Sequence, residues 1–310
     1  MIDLLIEKIK KTENPAVAGL DPVIEMIPAY IKKQMFEIYG KTPEAAGAMF
    51  TEFNKAIIDA IYDLVPAVKP QIAMYECFGL AGLASYIDTV EYAKQKGLIV
   101  IGDIKRGDIA STAEAYSAHL GGSIIEGESY DIWKEDAITI NPYFGTDGIA
   151  PFVDRCKKHD KGVFVLIRTS NKSSCELQDI IAEGQPLYLH VAALVKKWGG
   201  DLIGEQGYSR IGAVVGATHK EQGIALRKQL PQTFFLVPGY GAQGGIGADL
   251  KGYFDKDGLG SIVNSSRGII AAWQKDKELA ADPDLGPEFA EASRKAVIAM
   301  RRDLQFAMEG

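Results

Sequence analysis

Residues 102–112 read GDIKRGDIAST, and Asp103, Lys105 and Asp108 follow directly on the apolar run Leu98 to Ile101. Alternation along an extended strand points Asp103 and Lys105 to the same side. Charges held against apolar surroundings are costly unless they pair. Lys69 ends another apolar run, so two cations and two carboxylates could alternate in one network whose members hold one another ionised. The chemistry open to such a cluster is that of fixed charge beside a bound ligand. The plainer alternative is a solvated strand-to-helix loop with an Asp capping the helix.

A second pattern lies near the end of the chain, where GYGAQGG (239–245) and NSSRG (264–268) each follow an apolar run. Glycine lets backbone N–H groups approach an anion closely, a following helix N-terminus adds positive potential, and the planar fork of Arg267 can chelate phosphate oxygens. Two ordinary tight turns are the competing explanation.

The elements that must position these residues are eight short apolar runs: Ala16 to Leu20, Val65 to Val68, Leu98 to Ile101, Ala137 to Ile140, Val163 to Ile167, Ile211 to Val215, Phe234 to Val237 and Ser261 to Val263. Their continuous rather than alternating apolar character fits strands covered on both faces, as in a parallel sheet flanked by helices. Helix-compatible spacing fills Thr51 to Leu64, Ala81 to Lys96, Glu221 to Lys228 and Pro287 to Phe306. The expectation is an α/β chain, one (β/α)8 TIM-barrel domain over residues 1–310, with helical insertions after the first and fifth strands, roughly Pro22 to Tyr62 and Asn171 to Arg210. An open doubly wound sheet is the rival fold, weakened because no early GxGxxG sits at a strand-to-helix turn. In the barrel, chemistry gathers at the carboxyl ends of strands. Reading off those ends gives Asp21, Lys69, Asp103 with Lys105, Asn141, Thr169 with Ser170, Ala217 with Thr218, Pro238, and Asn264 with Ser265 and Ser266.

Composition excludes several classes. The net charge of -7 leaves no basic surface for general nucleic-acid binding. Cys77, Cys156 and Cys175 form no CxxC pair, and His119, His159, His190 and His219 show no ligand spacing, so neither a disulfide framework nor a metal site is expected. The first residues, MIDLLIEKIKK, mix charge with apolar residues at helical spacing, and no run approaches membrane-spanning length. A cytoplasmic protein with no membrane partner is expected.

Together AGLDP (18–22), VKPQ (68–71), GDIKRGDIAST, NPYFGTDG (141–148), VPGYGAQGG (237–245) and NSSRG resemble the orotidine 5'-monophosphate decarboxylases, in their longer bacterial subfamily, nearly end to end. The resemblance implies a (β/α)8 barrel, no metal or organic cofactor, a nucleotide substrate, and a homodimer with sites completed across the interface. It implies that Lys69, Asp103 and Lys105 are catalytic, and that Asp108 joins them in the neighbouring subunit's site together with Thr112. It further implies that Asp21 binds the ribose, Ser170 contacts the pyrimidine with Pro238 packed near it, and Gln243 bridges the base region to a phosphate held by Arg267. Ser266 stands beside Arg267 where the family often has glycine. Magnesium-dependent sugar-phosphate decarboxylases share a D-x-K-x-x-D segment but use further carboxylates where this chain has Lys69, and a noncatalytic phosphate-ligand sensor would have little reason to keep so costly a charge cluster.

Overall fold

The computed structural model describes residues 1–241, 244–282 and 285–309. Eight parallel strands close into a barrel in sequential order: β1 (Ala16–Leu20), β2 (Ala67–Pro70), β3 (Ile99–Arg106), β4 (Ala137–Ile140), β5 (Gly162–Arg168), β6 (Ser209–Val215), β7 (Thr233–Val237) and β8 (Ser261–Ser265), with β8 pairing back onto β1. The expected (β/α)8 fold is what forms, and the open-sheet alternative is excluded by that closing pair.

Alternate strand residues divide the core in two. Val17, Ala67, Ile99, Ile101, Phe164, Val214 and Leu236 belong to one buried cluster, and the first helix, Ile2–Thr12, adds Ile2, Leu5, Ile6 and Ile9 to it. The helix covers the end where strands begin: the terminal amine of Met1 meets Asp160 at 2.7 Å, just before β5. The other strand faces pack in a second cluster with the surrounding helices, including Pro43–Ile61, Gly79–Gln95 and Phe289–Glu309. The start of Pro43–Ile61 follows from its sequence, since Pro43 takes the first helical position and the Thr42 hydroxyl accepts the Ala45 N–H at 3.4 Å.

Boundaries differ from the expectation where polar residues continue a strand. β2 begins at Ala67 and runs through Lys69 to Pro70, β3 extends to Arg106, and β8 includes Asn264 and Ser265. The polar groups therefore lie within the last turns of the strands rather than beyond them. The insertion after β1 contains the helix Ala29–Tyr39, and that after β5 a short hairpin, Ile181–Ala182 with Gln185–Pro186, before the helix Leu187–Gly199.

Candidate active site

Strands β2 and β3 deliver the charges. Lys69 is buried, with its Nζ 2.6 Å from Asp103 Oδ2 and 3.8 Å from Asp21 Oδ1. Lys105 Nζ donates to Asp103 Oδ1 at 2.6 Å. The Thr139 hydroxyl on β4 donates to the same oxygen at 2.8 Å, and Gln71 Nε2 donates to Oδ2 at 3.0 Å. Burial would push the Asp103 carboxyl upward, but the charges of Lys69 and Lys105 and their hydrogen bonds outweigh it and hold it well below the usual carboxylate range. Burial likewise opposes the charge on Lys69, yet Asp103 and Asp21 raise its affinity for the proton above that of an ordinary lysine. Within one chain the alternating array is Asp21, Lys69, Asp103, Lys105.

Simple alternation does not explain how Lys105 reaches Asp103. The β3–β4 register shifts between Gly102 and Arg106, and Lys105 lies in the bulge with φ 48°. A left-handed non-glycine residue costs about 1–3 kcal/mol. Its N–H donates out of the ladder to the Thr139 hydroxyl at 3.0 Å, so one side chain holds both the lysine backbone and the aspartate. Thr139 and Gln71 carry no assignment in the sequence reading; the signal available for Thr139 was a lone polar residue inside the run AITI.

Two cavities meet at Lys69, Asp103 and Pro238. One, of about 290 Å³, is lined by Asp21, Met74, Tyr240, Asn264, Ser266 and Arg267 among others. In it Ser266 Oγ donates to Asp21 Oδ2 at 2.7 Å, while Asp21 Oδ1 and Asn264 Oδ1 are buried acceptors with no hydrogen-bond partner. Gly19 permits this approach, because a Cβ there would stand 1.9 Å from Ser266 Oγ. The other cavity, of about 360 Å³, has apolar walls from Leu166, Val214, Leu236 and Pro238 and a polar side made of Lys105, Thr169, Ser170 and Asn171.

Asp21, Lys69, Asp103, Lys105, Ser170, Pro238, Ser266 and Arg267 are thus brought together around two joined cavities. Asp108 and Thr112 are not: Asp108 Oδ1 accepts the Ile109 N–H at 2.7 Å, and Thr112 is exposed on the helix Ala110–Ser117. Gln243 lies outside the described residues. Arg267 is exposed and opens a helix of one turn, Arg267–Ile270, so positive potential at this corner comes from its own guanidinium more than from a helix dipole. None of the four histidines lines either cavity. Among the described residues no group of three His, Cys, Asp or Glu is placed to hold a metal ion, and the position between Asp21 and Asp103 is taken by the Lys69 ammonium.

A closed barrel with a buried charge array and a joined cavity at its carboxyl end is the architecture of a barrel enzyme with a small-molecule site. Residues 48–281 match the model of the orotidine 5'-phosphate decarboxylase / HUMPS family, and the chain belongs to that family. It is 45% identical over 273 residues to the orotidine 5'-phosphate decarboxylase of Caldicellulosiruptor saccharolyticus, covering 88% of this chain and 90% of that one. It is 42% identical over 306 residues to that of Clostridium tetani, covering 98% and 97%. The solved structure of the Leishmania donovani OMP decarboxylase superposes with a TM-score of 0.70 at 31% identity, covering 97% of this chain and 98% of that chain.

Proposed function

We propose that this chain removes carbon dioxide from orotidine 5'-monophosphate to give uridine 5'-monophosphate, the activity by which its relatives are named, as a step of pyrimidine biosynthesis in the cytoplasm. The observation that carries the mechanism is the Lys105 ammonium, fixed against Asp103 at 2.6 Å on the polar side of a cavity with apolar walls. Loss of carbon dioxide from C6 leaves an electron pair on a carbon that delocalises it poorly. A cation already in place stabilises that charge as it develops, and the same ammonium then gives C6 the proton that replaces the carboxylate. The site's own charges suffice for these steps, without metal or organic cofactor.

The two cavities divide the nucleotide. The base enters the apolar one, packed near Pro238 with its polar edge toward Ser170. Asp21 Oδ1 and Asn264 Oδ1, which lack a hydrogen-bond donor, accept from ribose hydroxyls, which removes the cost of leaving buried acceptors unsatisfied. Phosphate lies by Ser266 and Arg267, with Gln243 bridging from the loop after β7. Binding energy from this remote group holds the loop over the site and keeps water out.

Asp108 and Thr112 act in the site of a second copy in a homodimer. Asp108 lines neither cavity; its loop carries the half-exposed Ile109, and Phe144 of the β4 loop, exposed and packed on the exposed Tyr143, lies against the neighbouring Gly107. Apolar groups clustered around a charged group mark a surface suited to burial against a partner. The activity test is to supply orotidine 5'-monophosphate in D2O and follow both products. Carbon dioxide and uridine 5'-monophosphate deuterated at C6 are expected in equal amounts; failure of the folded protein to turn the nucleotide over overturns the reading.

A further inference from the structure

Arg168 closes β5 immediately before Thr169 and Ser170, and it is among the largest fully buried side chains of the protein. Its guanidinium serves two separate segments of the chain. Nη1 donates to Ser174 Oγ and Gln178 Oε1, both at 3.1 Å, and Nη2 donates to Asp179 Oδ2 at 3.1 Å, all three within the insertion after β5. On the other side Nε donates to Gln222 Oε1 at 2.5 Å, in the helix after β6. Nothing in the charge array touches this group, and the chemistry at Lys105 makes no use of it.

Its consequence runs through Gln178. The Gln178 oxygen that accepts from Arg168 also accepts the Thr169 backbone N–H at 3.0 Å, while its Nε2 donates to the Thr169 hydroxyl at 2.8 Å. The Thr169 hydroxyl in turn donates to Asn171 Oδ1 at 2.7 Å. Arg168 therefore orients the amide that grips Thr169 from both ends, and Thr169, Ser170 and Asn171 form the hydrogen-bonding side of the base cavity, opposite Leu166, Val214 and Leu236. Close packing adds to this: a Cβ on Gly216 would stand 2.9 Å from Ser170 Cα, so the β6 loop presses against the same segment.

We propose that Arg168 is a positioning residue for base recognition, fixing through Gln178 the segment 169–171 that reads the acceptor–donor–acceptor edge of a uracil-type ring. The proposal rests on the placement of the base in this cavity given above. A planar guanidinium is required because its donors fan out in fixed directions to Ser174, Gln178, Asp179 and Gln222, with His219 Nδ1 also 3.4 Å from Nη2, which the ammonium of lysine cannot match. With Arg168 removed, the segment loses its register and the pocket loses its preference for uracil over cytosine, whose edge reverses donor and acceptor at two positions. The phosphate and sugar end is untouched.

The test is calorimetric binding of uridine 5'-monophosphate, cytidine 5'-monophosphate and ribose 5-phosphate to wild type, Arg168→Met and Gln178→Ala. Gln178 is half-buried at the surface, so its replacement leaves the core intact and remains decisive if Arg168→Met fails to fold. In both variants the preference for the uracil nucleotide is expected to fall about tenfold or more, with ribose 5-phosphate affinity held within about twofold. A preference unchanged in Gln178→Ala overturns the proposal and leaves the decarboxylase reading standing, as does an equal loss of all three ligands. Wild type that binds ribose 5-phosphate without favouring uracil over cytosine overturns the placement of the base and this proposal with it.

Discussion

A carboxylate offers about four lone-pair directions, and Asp103 fills them with Lys69, Gln71, Lys105 and Thr139. It has no acceptor left for a substrate and cannot act as a base without breaking its own network. In the proposed reaction it acts on the nucleotide through charge and through the aim it gives to Lys105. The linkage to pH follows. The folded-state carboxyl is held below its ordinary value, so the stability it contributes is fully present above the unfolded value, near pH 4, and is lost as pH falls through the depressed one. Lys69 is shifted upward, so its contribution is present at neutral pH and lost only as pH rises beyond the ordinary lysine range. Asp103→Asn is expected to unfold more readily at pH 7, by about 3–5 kcal/mol as for a broken buried pair, with the difference from wild type narrowing below about pH 4. Urea titrations of both proteins across that range check the sign; a gap that widens in acid contradicts it.

At the scale of the element, much of the site was legible in the sequence because a barrel confines chemistry to strand ends. The eight apolar runs found the strands, and the residues at their ends, Asp21, Lys69, Asp103, Lys105, Ser170 and Arg267, all line the cavities. What could not be read was the bulge at Lys105, because two extra residues in β3 show only against the register of β4. Thr139 stayed hidden for the same reason: its role depends on what the neighbouring strand presents.

The loop after β7 gives a further case. Tyr240 donates its hydroxyl to Asp303 Oδ2 at 2.7 Å, and the Gly247 N–H donates to the same oxygen at 2.8 Å, so one carboxylate on the final helix ties both stems of the loop. That contact spans more than fifty residues and has no local signature. Tyr240→Phe and Asp303→Asn are expected to raise KM for orotidine 5'-monophosphate about three- to tenfold, as fits one or two partly exposed hydrogen bonds to a carboxylate. Turnover of orotidine, which lacks the phosphate, should stay unchanged between wild type and variants. Parallel kinetics on the two substrates decide it, and equal effects on both would show that the tie acts on the whole site rather than on the phosphate end.

For the whole molecule, the barrel wall closes within one chain, while Asp108 lies outside the array of Asp21, Lys69, Asp103 and Lys105 and is assigned to a second copy only by the proposal above. If the homodimer shares its sites, Lys105→Ala and Asp108→Ala chains are each nearly inactive alone, and their hybrid carries one site with both defects and one with neither. Mixing them under conditions of verified subunit exchange is expected to restore activity to about a quarter of wild type at equal amounts, since half the dimers are hybrids with one intact site each. No recovery despite exchange assigns Asp108 to its own chain. Sequence periodicity finds a core and a strand end, but a residue that serves another copy looks, within one chain, like any charge on a loop.

The central claim is that a single ammonium, held by Asp103, carries both charge stabilisation and proton delivery. The most direct measurement is the loss of ultraviolet absorbance of orotidine 5'-monophosphate with purified protein in the presence of chelator, wild type against Lys105→Ala. Undiminished turnover by wild type in chelator and a fall of at least about a thousandfold in the variant are predicted. Turnover abolished by the chelator, or a folded Lys105→Ala protein that retains wild-type rates, would contradict the account.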